Sequence, residues 1–126
     1  MRVRLHQIVV DCREPGKLVR FWARLLEVEP VDRARGWSHL ELPGVARLAF
    51  QPVPEDKAVK NRLHLDLAVD DVVAAAARAA ELGATPVGDP VTDDQGSFQA
   101  MHDPEGNEFC FVTGSPSGGE GYPSAR

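Results

Sequence analysis

The chain contains two similar segments, and this internal repeat constrains its fold more than any other feature. The first segment opens with Leu5-His6 and ends with Glu29-Pro30-Val31, and the second opens with Leu63-His64 and ends with Thr85-Pro86-Val87. The period is about sixty residues, which is longer than the repeats of solenoids and propellers. The repeat therefore predicts two copies of one module within a single domain.

Alternating residues predict a strand at the start of each copy. The residues from 63 to 69 alternate strictly, which places His64 and Asp66 on one face and the leucines on the other. Val3–Val10 opens the first copy and is apolar or long-chained almost throughout, which is typical of a strand covered on both faces. Three further strands are expected in each copy, at 30–31, 37–42 and 47–51 in the first and at 86–87, 98–102 and 108–112 in the second.

A helix is expected after the first strand of each copy. Apolar residues at helical spacing predict one over Lys17–Leu26, with Trp22 in the core. The second is expected over Asp71–Leu82, with Asp70 as its N-cap and Gly83 directly after its end. The predicted fold class is α+β, with two tandem βαβββ modules that form a curved mixed sheet with a concave pocket.

Length and composition limit the domain count and the classes of function. The 126 residues are 43% hydrophobic, which is sufficient for one compact core. We expect one domain over residues 1–114, with modules at about 3–54 and 61–113, and a flexible tail over residues 115–126. The net charge of −5, without a basic cluster, argues against nucleic acid as a partner. No apolar run is long enough for a membrane span or a signal peptide, which predicts a cytoplasmic protein without a membrane partner.

Superposing the two copies nominates residues for the expected pocket. His6 then matches His64, and matching the turns before the last strands brings Leu48 opposite Cys110. These four positions are expected on the concave face. The candidate ligand-binding residues in the first copy are Trp37, His39, Leu48 and Phe50.

Three motifs link the chain to a known superfamily. They are Leu63-His64-Leu65-Asp66-Leu67-Ala68-Val69-Asp70-Asp71, Glu81-Leu82-Gly83-Ala84 and His102-Asp103-Pro104-Glu105-Gly106-Asn107-Glu108-Phe109. Through them the chain resembles the vicinal oxygen chelate superfamily of glyoxalases, bleomycin-resistance proteins and extradiol dioxygenases, across nearly all of residues 3–113. It is most similar to the small glyoxalase-like proteins of that group. The resemblance implies a small-molecule ligand and a homodimer whose two chains together build each pocket.

The resemblance also implies a set of metal ligands. In the metal-dependent members a divalent ion is held by one residue from the first strand and one from the last strand of each module, commonly two histidines and two carboxylates. Carried onto this sequence, the metal ligands are His6, His64 and Cys110, for a divalent ion such as Zn, Fe, Ni or Mn. Leu48 stands at the fourth position and offers no donor.

Two functions stay open at this point. The first is a glyoxalase-like small-molecule-binding protein without an assigned reaction, distinct from a true glyoxalase. Because no clear cationic pocket is visible, a highly anionic ligand is not expected. The second is a metal-dependent lyase, isomerase or dioxygenase that uses the His/His/Cys set. In an enzyme, His64 and Asp66 are the candidate catalytic pair for proton transfer.

Overall fold

The computed structural model describes residues 1–94 and 96–113 of the chain. It divides into two compact units, Met1–Lys57 and Ala58–Arg126. Within the described residues, each unit contains one α-helix and one four-stranded mixed sheet in the predicted βαβββ order. The predicted α+β fold class of two such modules is therefore confirmed. The expected tail at 115–126 lies outside the described residues.

The first unit forms a sheet in the order β1-β4-β3-β2. Its elements are β1 (Gln7–Cys12), α1 (Pro15–Leu26), β2 (Val31–Asp32), a short 3-10 turn (Ala34–Gly36), β3 (Ser38–Leu40) and β4 (Arg47–Pro52). The strands β1 and β4 are parallel, and the other neighbouring strands are antiparallel. The helix α1 packs against β3 and β4.

The second unit repeats this topology in the order β5-β8-β7-β6. Its elements are β5 (Leu65–Ala68), α2 (Val72–Leu82), β6 (Thr85–Asp93), β7 (Gly96–His102) and β8 (Glu108–Val112). The strands β5 and β8 are parallel, and β7 is antiparallel to both of its neighbours. Neither helix of the described chain is long and apolar enough to cross a membrane.

The first strand starts later than the sequence predicts. The expected strand began at Val3, but β1 begins at Gln7, where its pairing with β4 begins. Val3 and Leu5 are exposed and are not covered on either face. The prediction for this stretch was wrong because, among the described residues, no strand pairs with Val3 or Leu5.

The helices end where the sequence predicts, at Leu26 and Leu82, but α1 begins at Pro15 and not Lys17, and α2 begins at Val72 and not Asp71. Pro15 occupies the first turn of α1, where its missing amide hydrogen costs nothing, and Trp22 is buried as predicted. Gly83 ends α2 in the left-handed region at φ 119°. The N-cap of α2 is Asp71 and not Asp70, since the carboxylate of Asp71 accepts hydrogen bonds from the amides of the second and third helical residues.

The strand β6 lies at an edge of its sheet. All nine of its residues are exposed, and its pairing with β7 is interrupted by a bulge between Val87 and Val91. Two prolines, Pro86 and Pro90, lie within the strand. Prolines are found in sheets at such edges because they cannot donate a ladder hydrogen bond.

Candidate metal and ligand site

The pairing of β5 with β8 brings together the predicted polar residues of the second unit. Asp66 is the partner of Cys110 in this parallel pair, so their side chains lie side by side on one face of the sheet. His64 immediately precedes β5, two residues before Asp66, and shares that face. The predicted common direction of His64 and Asp66 is consistent with their contact, since Nε2 of His64 lies 3.3 Å from Oδ1 of Asp66.

These three side chains form a compact donor group. One imidazole nitrogen, one carboxylate oxygen and the cysteine sulfur all lie within 4.8 Å of one another. Cys110 is buried at 6% exposure, whereas the side chains of His64 and Asp66 are 36% and 24% exposed. The group therefore has a buried sulfur at its base and two polar side chains that solvent can reach.

The donor group fits a divalent ion of borderline softness. A tetrahedral Zn²⁺ with nitrogen, oxygen and sulfur ligands needs ligand atoms separated by roughly 3.3–3.8 Å. The contact between His64 and Asp66 already meets this distance, and the sulfur of Cys110 lies within 4.8 Å of both ligand atoms. Three protein ligands would leave one position open, as in catalytic zinc sites.

An apolar patch lies beside the donor group on the same face. Phe98 and Val112 are partners across β7 and β8, as are Ala100 and Cys110. The side chains of Phe98, Cys110 and Val112 form a small cluster against which Ala100 packs. Phe98 and Val112 are buried, at 7% and 0% exposure, so this cluster is the part of the core that adjoins the donor group.

The bounds of the strands and the burial of their side chains correct the sequence-based superposition of the two copies by one residue. Cys110 is the third residue of β8, and Ala49 is the third residue of β4. Each lies between two buried apolar side chains, which in β4 are Leu48 and Phe50. Ala49 therefore corresponds to Cys110, and the superposition of Leu48 on Cys110 was wrong.

The correspondence between the first strands shifts in the same way. The partner of Ala49 in β1 is Val9, which thus corresponds to Asp66 of β5. Gln7, two residues before Val9, therefore corresponds to His64. The first unit has an amide, an aliphatic side chain and a methyl group where the second has an imidazole, a carboxylate and a thiol.

The remaining predicted residues of the first unit lie in different surroundings. His6 is exposed and lies one residue before β1. Leu48 and Phe50 are fully buried and share one face of the first sheet. Trp37 is half-buried, and the guanidinium of Arg33 lies over its ring at 5.2 Å from the centroid. Metal binding by His6 and ligand binding by Trp37, Leu48 and Phe50 stay predictions.

His39 lies in a polar cluster that the sequence reading described only in part. It is 7% exposed, and its Nε2 lies 3.7 Å from Oε1 of Glu41. That same oxygen accepts a hydrogen bond of 2.6 Å from Nε of Arg47. Burial lowers the pKa of His39, and the nearby charge of Arg47 lowers it further against the opposing effect of Glu41. The sequence analysis did not include Arg47, although its alternation with Ala49 places both on this face.

Comparison with known proteins gives one match to a family and many to solved structures. A model of the glyoxalase-like domain matches residues 7–112. No curated protein matches the chain.

Three similar structures have the following descriptions. A glyoxalase/bleomycin resistance protein/dioxygenase family enzyme from Burkholderia phytofirmans PsJN is 18% identical, with a TM-score of 0.72 over 85% of this chain and 95% of that chain. The fosfomycin resistance protein FosX from Listeria monocytogenes is 14% identical, with a TM-score of 0.75 over 96% of this chain and 99% of that one. The oxidase ChaP-H2 is 20% identical, with a TM-score of 0.67 over 91% and 96% of the two chains. At these identities the likeness shows the fold.

Proposed function

Since the chain belongs to the glyoxalase-like domain family, we propose that it binds a small molecule on the face of the second sheet that carries His64, Asp66 and Cys110. The observation that carries this proposal is the convergence of their three ligand atoms within 4.8 Å, beside the apolar patch around Phe98. The polar groups would fix the orientation of the ligand.

The contact between His64 and Asp66 supports a role in proton transfer. The carboxylate of Asp66 can accept a hydrogen bond from Nε2–H of His64, which selects one tautomer and leaves Nδ1 with a lone pair. An imidazole oriented in this way can take a proton from a bound ligand or return one to it. In this proposal His64 is the acid or base, and Asp66 holds it in position.

A metal-dependent reaction is a second candidate, which the composition of the donor group favours. Nitrogen, carboxylate and thiolate ligands together suit Zn²⁺ or Fe²⁺ better than Mg²⁺ or Ca²⁺. When bound, such an ion would polarise a carbonyl or enolate oxygen as a Lewis acid. His64, Asp66 and Cys110 would hold it, and His6 stays a predicted further ligand in the homodimer that the family resemblance implies.

The names of similar proteins do not select a reaction. One is described as a family enzyme, one as a fosfomycin resistance protein and one as an oxidase. The three descriptions differ in chemistry while the fold is shared, so fold alone cannot assign an activity. The proposal is therefore limited to small-molecule binding at this face, with metal-assisted chemistry as the alternative.

The deciding experiment is elemental analysis of protein purified without chelator and without a nickel column. Wild type would be compared with His64→Ala and His6→Ala, and with His102→Ala as a control histidine outside the donor group. The metal candidate predicts about one equivalent per chain or per pocket, a loss in His64→Ala and no loss in His102→Ala. A loss in His6→Ala as well would add that residue to the site.

A thermal-shift screen of small molecules separates the remaining outcomes. Metal-free protein that is stabilised by a ligand, with the stabilisation lost in His64→Ala, supports binding without a metal. If neither a metal nor any ligand is bound in a manner that depends on His64, Asp66 or Cys110, the proposed site is overturned.

A further inference from the structure

One face of the first sheet carries a row of polar side chains that the proposed function does not use. We define this polar face by Gln7, His39, Glu41 and Arg47. Gln7 on β1 is the partner of Arg47 on β4. Nε of Arg47 donates a hydrogen bond to Oε1 of Glu41, which directly follows β3. His39 lies two residues before Glu41 and so shares its face.

Two buried polar atoms on this face lack a hydrogen-bond partner. They are Oε1 of Gln7 and Nδ1 of His39, neither of which is bonded to any atom of the described residues. Buried polar groups without partners are rare in folded proteins, because each costs about 1–3 kcal/mol relative to a satisfied one. Such groups mark places where a ligand or an ordered water completes the hydrogen bonding.

Arg47 supplies the charge beside these atoms. Its Nε is bonded to Glu41, and the described residues provide no further hydrogen bond to its two terminal nitrogens. Its side chain is 31% exposed, so a solute can approach the guanidinium directly. A guanidinium held through Nε presents its remaining donors in the fork that matches two oxygens of a carboxylate or phosphate.

Arg47 and Arg33 place positive charge near His39, opposite in sign to the charge of Glu41. The positive charges of Arg47 and Arg33 both lower the pKa of His39, and the influence of Arg47 exceeds the opposing influence of Glu41. The amide of Gln7 can turn its NH₂ group toward an anion, because the two ends of a glutamine amide exchange by a simple rotation.

We propose that the polar face of the first sheet is a second binding site, in which Arg47, Gln7 and His39 bind the oxyanion of a small carboxylate or phosphate compound. Its residues all belong to the first unit, whereas the donor group belongs to the second. It also revises the expectation that the ligands of this protein carry little negative charge.

Binding of the anion and protonation of His39 are coupled at this site. A negative charge beside His39 stabilises the imidazolium, so the anion raises the pKa of His39 and binding strengthens as the pH falls. The charged groups that face His39 are Arg47 on β4, Glu41 after β3 and Arg33 before the 3-10 turn. Acetate is the appropriate probe for this effect, since its own charge does not change between pH 6 and 8.

The test is an NMR titration of the full chain with sodium acetate, followed by a second series with inorganic phosphate. Sodium chloride keeps the ionic strength constant throughout both series. We expect saturable shifts of the His39 imidazole and the Arg47 side chain. Arg47→Gln should weaken binding at least tenfold, and Arg47→Lys should weaken it less because it keeps the charge but loses the fork. Arg24→Gln, an exposed arginine of α1, is the control with the same change in charge.

Each outcome decides the proposal. Saturation that depends on Arg47 and strengthens from pH 8 to pH 6 for acetate supports it, and saturation by only one of the two probes identifies the type of oxyanion. Shifts that do not saturate, or equal weakening in Arg47→Gln and Arg24→Gln, would show only a diffuse ion atmosphere and overturn it. The metal analysis and the thermal-shift screen described above test the site on the second sheet separately, so failure here is distinguishable from failure of that site.

Discussion

Asp66 lies directly opposite Cys110 in the parallel register of β5 and β8. The pairing fixes the carboxylate and the thiol on one face, and the loop before β5 adds the imidazole of His64 at 3.3 Å from the carboxylate. Two of the three donors are thus positioned by backbone hydrogen bonds. A site built on strands holds its geometry more precisely than one built on loops.

The first prediction concerns the sulfur ligand of the metal candidate. Cys110→Ser should lower the affinity for Zn²⁺ by about tenfold or more, because a hydroxyl is a much poorer ligand than a thiolate for this ion. The measurement is competition with a chromogenic chelator. Cys12→Ser is the matched control, since Cys12 is also a buried thiol but lies in the first unit. Equal losses of affinity in the two variants would contradict a role for Cys110.

The second prediction concerns the pH dependence of stability. Burial lowers the pKa of folded His39, and unfolded histidine binds its proton near pH 6.5. Below that pH the unfolded state binds the proton more readily, so the free energy of unfolding should decrease as the pH falls from about 6.5 through the lower pKa of the folded state. In His39→Gln this decrease should be smaller. Urea unfolding at several pH values measures it, and an unchanged slope would contradict the assignment.

The third prediction tests which aspartate caps α2. Asp71→Ala should lower the free energy of unfolding by about 0.5–2 kcal/mol, because two amides at the start of the helix lose their acceptor. Asp70→Ala should have a smaller effect. Urea unfolding of both variants gives the comparison. A larger loss for Asp70→Ala would instead favour the cap that the sequence predicted.

The fourth prediction concerns the end of α1. Glu27 has φ 58° in the left-handed region, where Gly83 stands at the end of α2 with φ 119°. Glu27→Gly should raise the free energy of unfolding by roughly 0.5–1 kcal/mol, since glycine adopts this conformation without strain. Gly83→Ala should lower it by a similar amount. Thermal unfolding of the two variants should therefore shift in opposite directions, and shifts of the same sign would refute this account.

Local patterns predicted several features of the second unit closely, although the strand expected at 86–87 is the nine-residue β6 (Thr85–Asp93). The strand at 108–112 agrees with β8 residue for residue, and the alternation of 63–69 placed His64 and Asp66 correctly on one face. Gly83 marked the end of α2. These features depend on neighbouring residues along the chain, which the sequence states directly.

The sequence did not define as clearly which face of the first sheet each side chain occupies. The turn Pro43-Gly44 is one residue shorter between its proline and glycine than the turn Pro104-Glu105-Gly106. Matching the glycines therefore shifted the first copy by one position and selected Leu48 in place of Ala49. Because successive side chains of a strand point to opposite faces, such a shift exchanges every inward residue for an outward one. The burial of Leu48 and Phe50, which flank Ala49 as Phe109 and Phe111 flank Cys110, reveals the correct face.

The prolines of β6 bear on how copies of this protein behave at high concentration. An exposed strand at the edge of a sheet is a template on which a strand of another molecule can extend the sheet, which is a common start of aggregation. Pro86 and Pro90 remove two amide hydrogens from that template, and the bulge between Val87 and Val91 interrupts its regular spacing. These two features should therefore hinder the pairing of β6, the longest strand of the described chain, with a strand of another molecule.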